Sequence, residues 1–317
     1  MSGSLLLAAP VVRVDAWFTP ARDLALQAYP GSAWRGAFGH ALKRAVCVMR
    51  QRPCAGCALS GVCLFPHLFG TVSATDEGQH GHSPLGHSPP VPFVLAPAPM
   101  PRSGVVPAGT PLRVRLMLLA PATGQAIYAL RGLIDAAEQG LGPARVPLAL
   151  SAIAPAGAPP QPPGDTAIAA AITPHALVPP PIPARAMALR LATPLRLRLE
   201  GDLLTRRSFA PHHLVAAALR RTTGLFGSPD AATRRQLLDH ARALAWTSPR
   251  FGWLETVRRS TRQQATMRLG GIVGTAELDL SKAAALWPVL WSASVLHVGK
   301  GASMGFGQID LTGTEHP

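Results

Sequence analysis

The chain has 317 residues, enough for two modest domains that each bury a core. Its formal net charge is +14, carried almost entirely by arginine, and its sixteen acidic residues are sparse and include no D-x-D, which disfavours a paired-carboxylate site for two magnesium ions. An apolar N-terminal run without a positive flank argues against a signal peptide or membrane span, and the lack of a basic amphipathic helix argues against a membrane-surface role; the chain is read as cytosolic.

Guanidinium forks suit phosphate and nucleobase contacts better than ammonium groups do, so the composition favours a nucleic-acid partner. Tyr29 and Tyr128 are the only tyrosines, which rules out extensive base stacking on tyrosine and leaves histidine and arginine to share that task.

In chain order, Val11–Phe18 reads as a strand and Gly31–Val46 as a helix with Ser32 near its N-cap. Cys47 to Pro90 is irregular and looks like an insertion. Pro92–Ala96 and Leu112–Leu118 follow as strands, the second alternating aliphatic residues with arginines. Gln125–Gln139 reads as a helix and Arg145–Ile153 as a strand. That order is the ferredoxin-like split βαβ unit. Residues 154–184, crowded with proline and alanine, read as a linker or loop.

The pattern then repeats. Ala188–Leu191 and Leu195–Leu199 read as strand, Leu214–Leu225 and Ala231–Ala245 as helices, and Arg250–Thr261 and Ala265–Ala276 as a hairpin. Ala283–Val295 reads as a helix and Met304–Thr312 as the last strand. The expected architecture is α+β: two tandem ferredoxin-like (RRM-like) domains, 1–153 with a cysteine-rich insertion at 47–90, and 185–317 with a glycine-rich loop.

Four features carry chemistry. Cys47, Cys54, Cys57 and Cys63 fall within seventeen residues, and the Cys54-x2-Cys57 knuckle suits a structural tetrahedral metal, zinc first and an iron–sulfur cluster second; four buried apolar cysteines are the alternative. His40 lies on the first helix with Lys43 three residues on and Arg35 five residues before. An imidazole and cations around one phosphate suit metal-free RNA cleavage, and a solvated helix face is the plainer reading.

Arg258, Arg259, Arg262, Gln263 and Arg268 concentrate on the hairpin, where arginines meet phosphates and amides meet base edges or 2′-hydroxyls; Arg220–Arg221 and Arg206–Arg207 are weaker versions. Last comes His297-Val298-Gly299-Lys300-Gly301-Ala302-Ser303-Met304-Gly305-Phe306-Gly307. A Walker A loop needs glycine at Ser294 and a dinucleotide fingerprint needs it at Met304, so ATP and NAD are excluded; a cradle for a polyanion backbone, or a tight turn, remains.

Taken together, these residues resemble the CRISPR-associated endoribonuclease that processes precursor CRISPR RNA, within the repeat-associated mysterious protein (RAMP) superfamily. The likeness runs through Gly31–Arg44, the cysteine cluster ending Cys63-Leu64-Phe65-Pro66-His67-Leu68-Phe69, Pro211-His212-His213-Leu214, Leu219-Arg220-Arg221, Thr261-Arg262-Gln263, Arg268-Leu269-Gly270-Gly271 and the terminal loop. It implies two tandem ferredoxin-like domains and metal-independent cleavage beside a repeat hairpin by 2′-hydroxyl attack, leaving a 2′,3′-cyclic phosphate and a 5′-hydroxyl.

By that resemblance His40 is the acid/base candidate, Lys43 and Arg35 stabilise the transition state, and Tyr29 contributes. Arg258, Arg259, Arg262, Gln263, Arg268, Arg220, Arg221, His297, Gly299, Lys300, Gly301, Ser303, Gly305 and Gly307 would meet RNA. The implied partners are the repeat hairpin, the mature guide RNA and other CRISPR effector subunits. A non-catalytic guide-binding subunit of the same superfamily is the alternative, and a zinc-knuckle DNA-binding protein is the reading outside it.

Overall fold

The computed structural model describes residues 10–49, 53–54, 56–70, 90–199, 201–227, 229–260 and 265–314. It divides into a unit spanning Pro10–His175 and a second that begins at Ala176. In the first unit the elements are β1 (Pro10–Pro20), β2 (Leu24–Ala25), α1 (Gly31–Val46), α2 (Leu64–Phe69), β3 (Phe93–Pro97), β4 (Val105–Val106), β5 (Leu112–Leu119), α3 (Ala126–Glu138), β6 (Leu148–Pro155), α4 (Asp165–Ile172) and β7 (His175–Ala176). The main sheet runs β3-β5-β1-β6 with antiparallel pairing, the ferredoxin-like order.

Strand alternation builds this core. Val12, Val14, Ala16 and Phe18 of β1 and Leu112, Val114, Leu116 and Leu118 of β5 are buried in one cluster with Trp34, Phe38 and Leu42, spaced four apart on α1. Leu130, Leu133 and Ala137 of α3 join them. The other face of the same strands carries charge. Asp15, 2% exposed, sits opposite Arg115 in the ladder and accepts from its Nε and Nη2, both at 2.7 Å, while Arg113 Nη1 lies 3.7 Å away. Burial, and then the charge of Arg115, push the Arg13 guanidinium below its ordinary range; Asp15 opposes the shift.

The second unit comprises β8 (Ala186–Leu195), β9 (Arg198–Leu199), β10 (Asp202–Leu203), α5 (Pro211–Phe226), α6 (Ala231–Arg242), β11 (Thr247–Leu254), β12 (Val257–Ser260), β13 (Ala265–Arg268), β14 (Gly271–Asp279), α7 (Trp287–Leu296) and β15 (Ile309–Thr314). Its sheet, β11-β14-β8-β15, is antiparallel and has the same order of first, second, third and fourth strands as the first unit. Met187, Leu189 and Leu191 of β8 pack with Leu214, Val215 and Ala218 of α5 and Val289, Leu290 and Ala293 of α7.

At the start of α5, Pro211 takes the first helical position, where its missing N–H costs nothing. His213 closes the end reciprocally: its amide donates to the Ala210 carbonyl at 3.1 Å, and its Nδ1 accepts the Ala210 N–H at 3.1 Å. Burial, and secondarily the neighbouring His212 ring, depress the His213 pKa.

Three expectations change. Residues 154–184 contain α4, whose alanine-rich run favours helix and whose Ala167, Ile168, Ala171 and Ile172 pack on the first core; the prolines before it gave no sign of this. The insertion contains α2, with Leu64 and Leu68 buried in that core. The hairpin strands read as Arg250–Thr261 and Ala265–Ala276 each break in two, at Glu255–Thr256 and at Leu269–Gly270. Leu269 N–H donates to Thr256 O (2.7 Å) and Thr256 Oγ1 donates to Leu269 O (2.8 Å), so β12–β13 forms its own ladder beyond the break. Among the described residues no helix is long and apolar enough to cross a membrane.

Replacing Asp15 by alanine removes the carboxylate that pairs with Arg115 and faces Arg13 and Arg113, and urea unfolding is expected to show a loss of about 3–5 kcal/mol. Because the folded-state pKa of His213 is depressed, its contribution is present above the ordinary imidazole value of about 6.5 and is lost as pH falls through the folded value. His213→Gln keeps an acceptor for the Ala210 N–H, so its thermal midpoint should fall less than the parent's between pH 7.5 and pH 5.

Candidate functional site

In the first unit, α1 presents His40 to solvent, with Arg44 one turn on. A cavity of about 280 Å³ is lined by Ala37, His40 and Arg44 of α1, by Ala136 of α3 and by Gln139, Gly140 and Arg145 just beyond α3. Arg145 is held over it by a left-handed backbone (φ 45°), and its Nη2 reaches the Gln139 carbonyl at 3.5 Å. One histidine and two arginines therefore line a single concavity, with no acidic residue in its lining among the described residues.

The sequence-predicted partners of His40 sit elsewhere on the helix. Five residues is about 140° around an α-helix, so Arg35 cannot share a face with His40. Its guanidinium lies over the Phe69 ring (5.0 Å) and near that of Phe93 (5.9 Å). Lys43 Nζ lies 5.7 Å from the Phe65 ring. Tyr29 is half-buried, two residues before α1. The i+4 rule, applied to Arg44, would have found one missed residue; Arg145, a hundred residues away in sequence, had no signal.

The structure does not support the cysteine expectation. Cys47 follows α1 and donates its amide to Lys43 O (2.9 Å), Cys63 precedes α2 and donates to Leu59 O (3.0 Å), and Cys54 and Cys57 are joined by a turn. All four thiols are free and half-buried. Among the described residues, no group of three or more His, Cys, Asp or Glu side chains gathers to hold a metal, so neither zinc nor an iron–sulfur cluster has a built site.

In the second unit the glycine-rich loop is held by backbone hydrogen bonds, within itself and to Pro194 and Arg196. Val298 N–H donates to Gly307 O (3.1 Å), Gly307 N–H to Pro194 O (3.1 Å), Gly305 N–H to Ala302 O (2.9 Å) and Lys300 N–H to Arg196 O (2.8 Å). Gly307 has φ 66°, and a Cβ there would run into the Val298 carbonyl oxygen. Gly305 and Gly307 thus shape the loop, with their amides turned to protein carbonyls. Lys300 is exposed, and Gly301 and Ser303 are half-buried.

His297 (5% exposed) and Arg221 (8% exposed) lie beneath that loop. His297 Nδ1 is 3.2 Å from Phe306 O, and Arg221 Nε donates to Leu296 O at the end of α7 at 2.8 Å. Burial pushes the Arg221 pKa down to about 10. Expected to meet RNA directly, these two side chains instead hold the loop's entry.

Arg220 on α5 is exposed, as is Arg268 at the end of β13. Arg258 and Arg259 lie on β12, paired with Met267 and Thr266 of β13; Arg262 and Gln263 lie outside the described residues. Sequence reading also passed over a second concavity of about 630 Å³ along α6, lined by Arg234, Arg235 and Arg242, where Asp239 is engaged by Arg242 at 2.7 Å. Helical spacing of those arginines was the available signal.

Compared with known families, the AF_1859_N N-terminal domain matches residues 7–175, more than half of the chain, and the CRISPR-associated endoribonuclease Cas6 matches residues 189–309. Among solved structures, a Cas6 (TTHB231) product complex shares the fold with TM-score 0.56 at 16% identity, covering 96% of this chain and 100% of that one. Thermus thermophilus Cas6 shares it with TM-score 0.55 at 14% identity, over 96% and 99% of the two chains. A further Cas6 (TTHA0078) product complex is similar at TM-score 0.50 and 18% identity, over 96% and 99%. No curated protein matches the sequence. The two family matches divide where the two ferredoxin-like units divide: the chain belongs to the family of the AF_1859_N N-terminal domain, and its residues 189–309 are similar to the CRISPR-associated endoribonuclease Cas6.

Proposed function

We propose that the chain cuts CRISPR repeat hairpins in precursor RNA without a metal ion and keeps the mature guide bound. The observation that carries this reading is the cavity where His40, Arg44 and Arg145 border one space. The 2′-hydroxyl of the nucleotide before the scissile bond attacks the phosphorus, and its proton leaves to a base. The bond to the 5′-oxygen of the next nucleotide breaks, and that oxygen takes up a proton. The products are a 2′,3′-cyclic phosphate and a 5′-hydroxyl.

The His40 imidazole is suited to exchange protons at the attacking or leaving oxygen. Arg44 and Arg145 supply fixed positive charge where the phosphorane gathers negative charge. Lys43 and Arg35, on the aromatic side of α1, add to the positive field from further off, and Tyr29 flanks the helix start. Phosphates of the hairpin and guide would lie on Arg220, Arg258, Arg259, Arg262, Arg268 and Lys300, with Gln263 at base edges or 2′-hydroxyls and Gly299, Gly301 and Ser303 beside the backbone. The similar TTHB231 and TTHA0078 structures are Cas6 product complexes, which fits an RNA ligand for this fold.

Single-turnover cleavage of the cognate repeat in EDTA tests the chemistry. His40→Ala should slow it by about 10²- to 10⁴-fold with hairpin affinity kept. Arg44→Ala and Arg145→Ala should each slow it by about 10²-fold, and Lys43→Ala and Arg35→Ala by less than about 10-fold. Tight binding with no cyclic-phosphate product would identify a non-catalytic guide-binding subunit instead, and parental rates in His40→Ala would move the chemistry to another site.

A further inference from the structure

We infer that Trp253 is a stacking platform for one unpaired RNA base, set in a basic neighbourhood that includes Arg196. This rests on the RNA-binding reading above and adds a residue and a substrate feature to it.

Trp253 lies near the end of β11, an edge strand, paired with Ile272 of β14. Strand alternation puts it on the face of Phe251, which packs edge-on against Phe209 (5.2 Å) and Trp246 (5.7 Å). Where Trp246 is half-buried and donates its indole N–H to Phe209 O at 3.1 Å, Trp253 extends past the covered part of that face and is 41% exposed. A large exposed ring is not required by the core.

The ring is nevertheless fixed. Its Nε1–H donates to Glu255 Oε2 at 3.1 Å. Gly270, at the break between β13 and β14, lies directly against it: a Cβ there would run into the indole nitrogen and come within 2.7 Å of Glu255 Oε2. Glycine at 270 lets the indole lie against the backbone with its orientation set before any ligand arrives. Two χ angles are then held at little further entropic cost on binding.

The surroundings are basic. Arg196 Nε donates to the Gly270 carbonyl at 3.0 Å, and the Arg196 carbonyl accepts the Lys300 N–H at 2.8 Å, so one residue joins the tryptophan's support to the glycine-rich loop. Burial, and then the charge of Arg198, lower the Arg196 pKa, while Glu255 opposes the shift. Arg198, Arg250, Arg268 and Lys300 are all exposed in this unit, and Glu255 is occupied by the indole. A fixed π-face beside cationic groups fits a nucleobase with its phosphate, and a single indole accommodates one base that has left the duplex stack.

The test is hairpin affinity for repeat RNA carrying single-stranded flanks, scanned with one abasic nucleotide at a time. Trp253→Ala should weaken binding by about 5- to 100-fold, with the salt dependence unchanged because no phosphate contact is lost. Trp253→Phe should restore most of it. In the wild type, one abasic position should reproduce the loss, and at that position Trp253→Ala should add nothing further. Unchanged affinity in Trp253→Ala, or additive losses at every abasic position, overturns the stacking role. Absence of RNA binding by the wild type overturns the functional reading itself, and this inference with it.

Discussion

The two-residue period of the central strands constrains everything else in this chain. Arginine supplies nearly all of a +14 charge, and each arginine in β1, β5 and β8 must fall on the face opposite the aliphatic residues that hold the helices. Arg113 and Arg115 alternate with Leu112, Val114 and Leu116, and Arg190 stands between Leu189 and Leu191. A slip of one residue would turn guanidinium groups into the core. On β1 the same rule buries Asp15 among three arginines, so a single carboxylate neutralises charge that would otherwise repel across the ladder.

Both units then use their helices and loops to present cations that the sheets do not need. On α1 the buried stripe of Trp34, Phe38 and Leu42 leaves the opposite face free, and His40 and Arg44 occupy one side of it. Arg35 and Lys43 are turned to the phenylalanines around α2, where cation–π contact holds them near but not in the cavity. In the second unit the glycine-rich loop is held by backbone hydrogen bonds from Val298, Lys300, Gly305 and Gly307, which makes it a rigid shape that offers Lys300 to solvent. Arg221 and His297 serve that rigidity from beneath.

Local signals made much of this legible. The helix Gly31–Val46 and the strands around Val11–Phe18 and Leu112–Leu118 follow from periodicity, and their order in turn announces the ferredoxin-like unit. Periodicity failed where composition masked it: proline and alanine hid α4, and the continuous hairpin strands concealed the paired breaks at Glu255–Thr256 and Leu269–Gly270. Cysteine spacing suggested a metal site because sequence distance bounds how near two sulfurs can come. It does not bring them together, and among the described residues the four form no ligand group.

By itself, the sequence determined the fold class and the excess of arginine that the strands must carry, because these depend on periodicity and charge. Tertiary structure alone decided which cations share a space with His40, since Arg145 arrives from beyond α3 through a left-handed turn. It also decided that Arg221 and His297 are buried, that the amides of Val298, Lys300, Gly305 and Gly307 are bonded to protein carbonyls, and that Gly270 leaves room for an exposed, fixed Trp253. The reason is common to all of these. Burial and contact are properties of segments distant in sequence, and no local pattern encodes which distant segment will arrive.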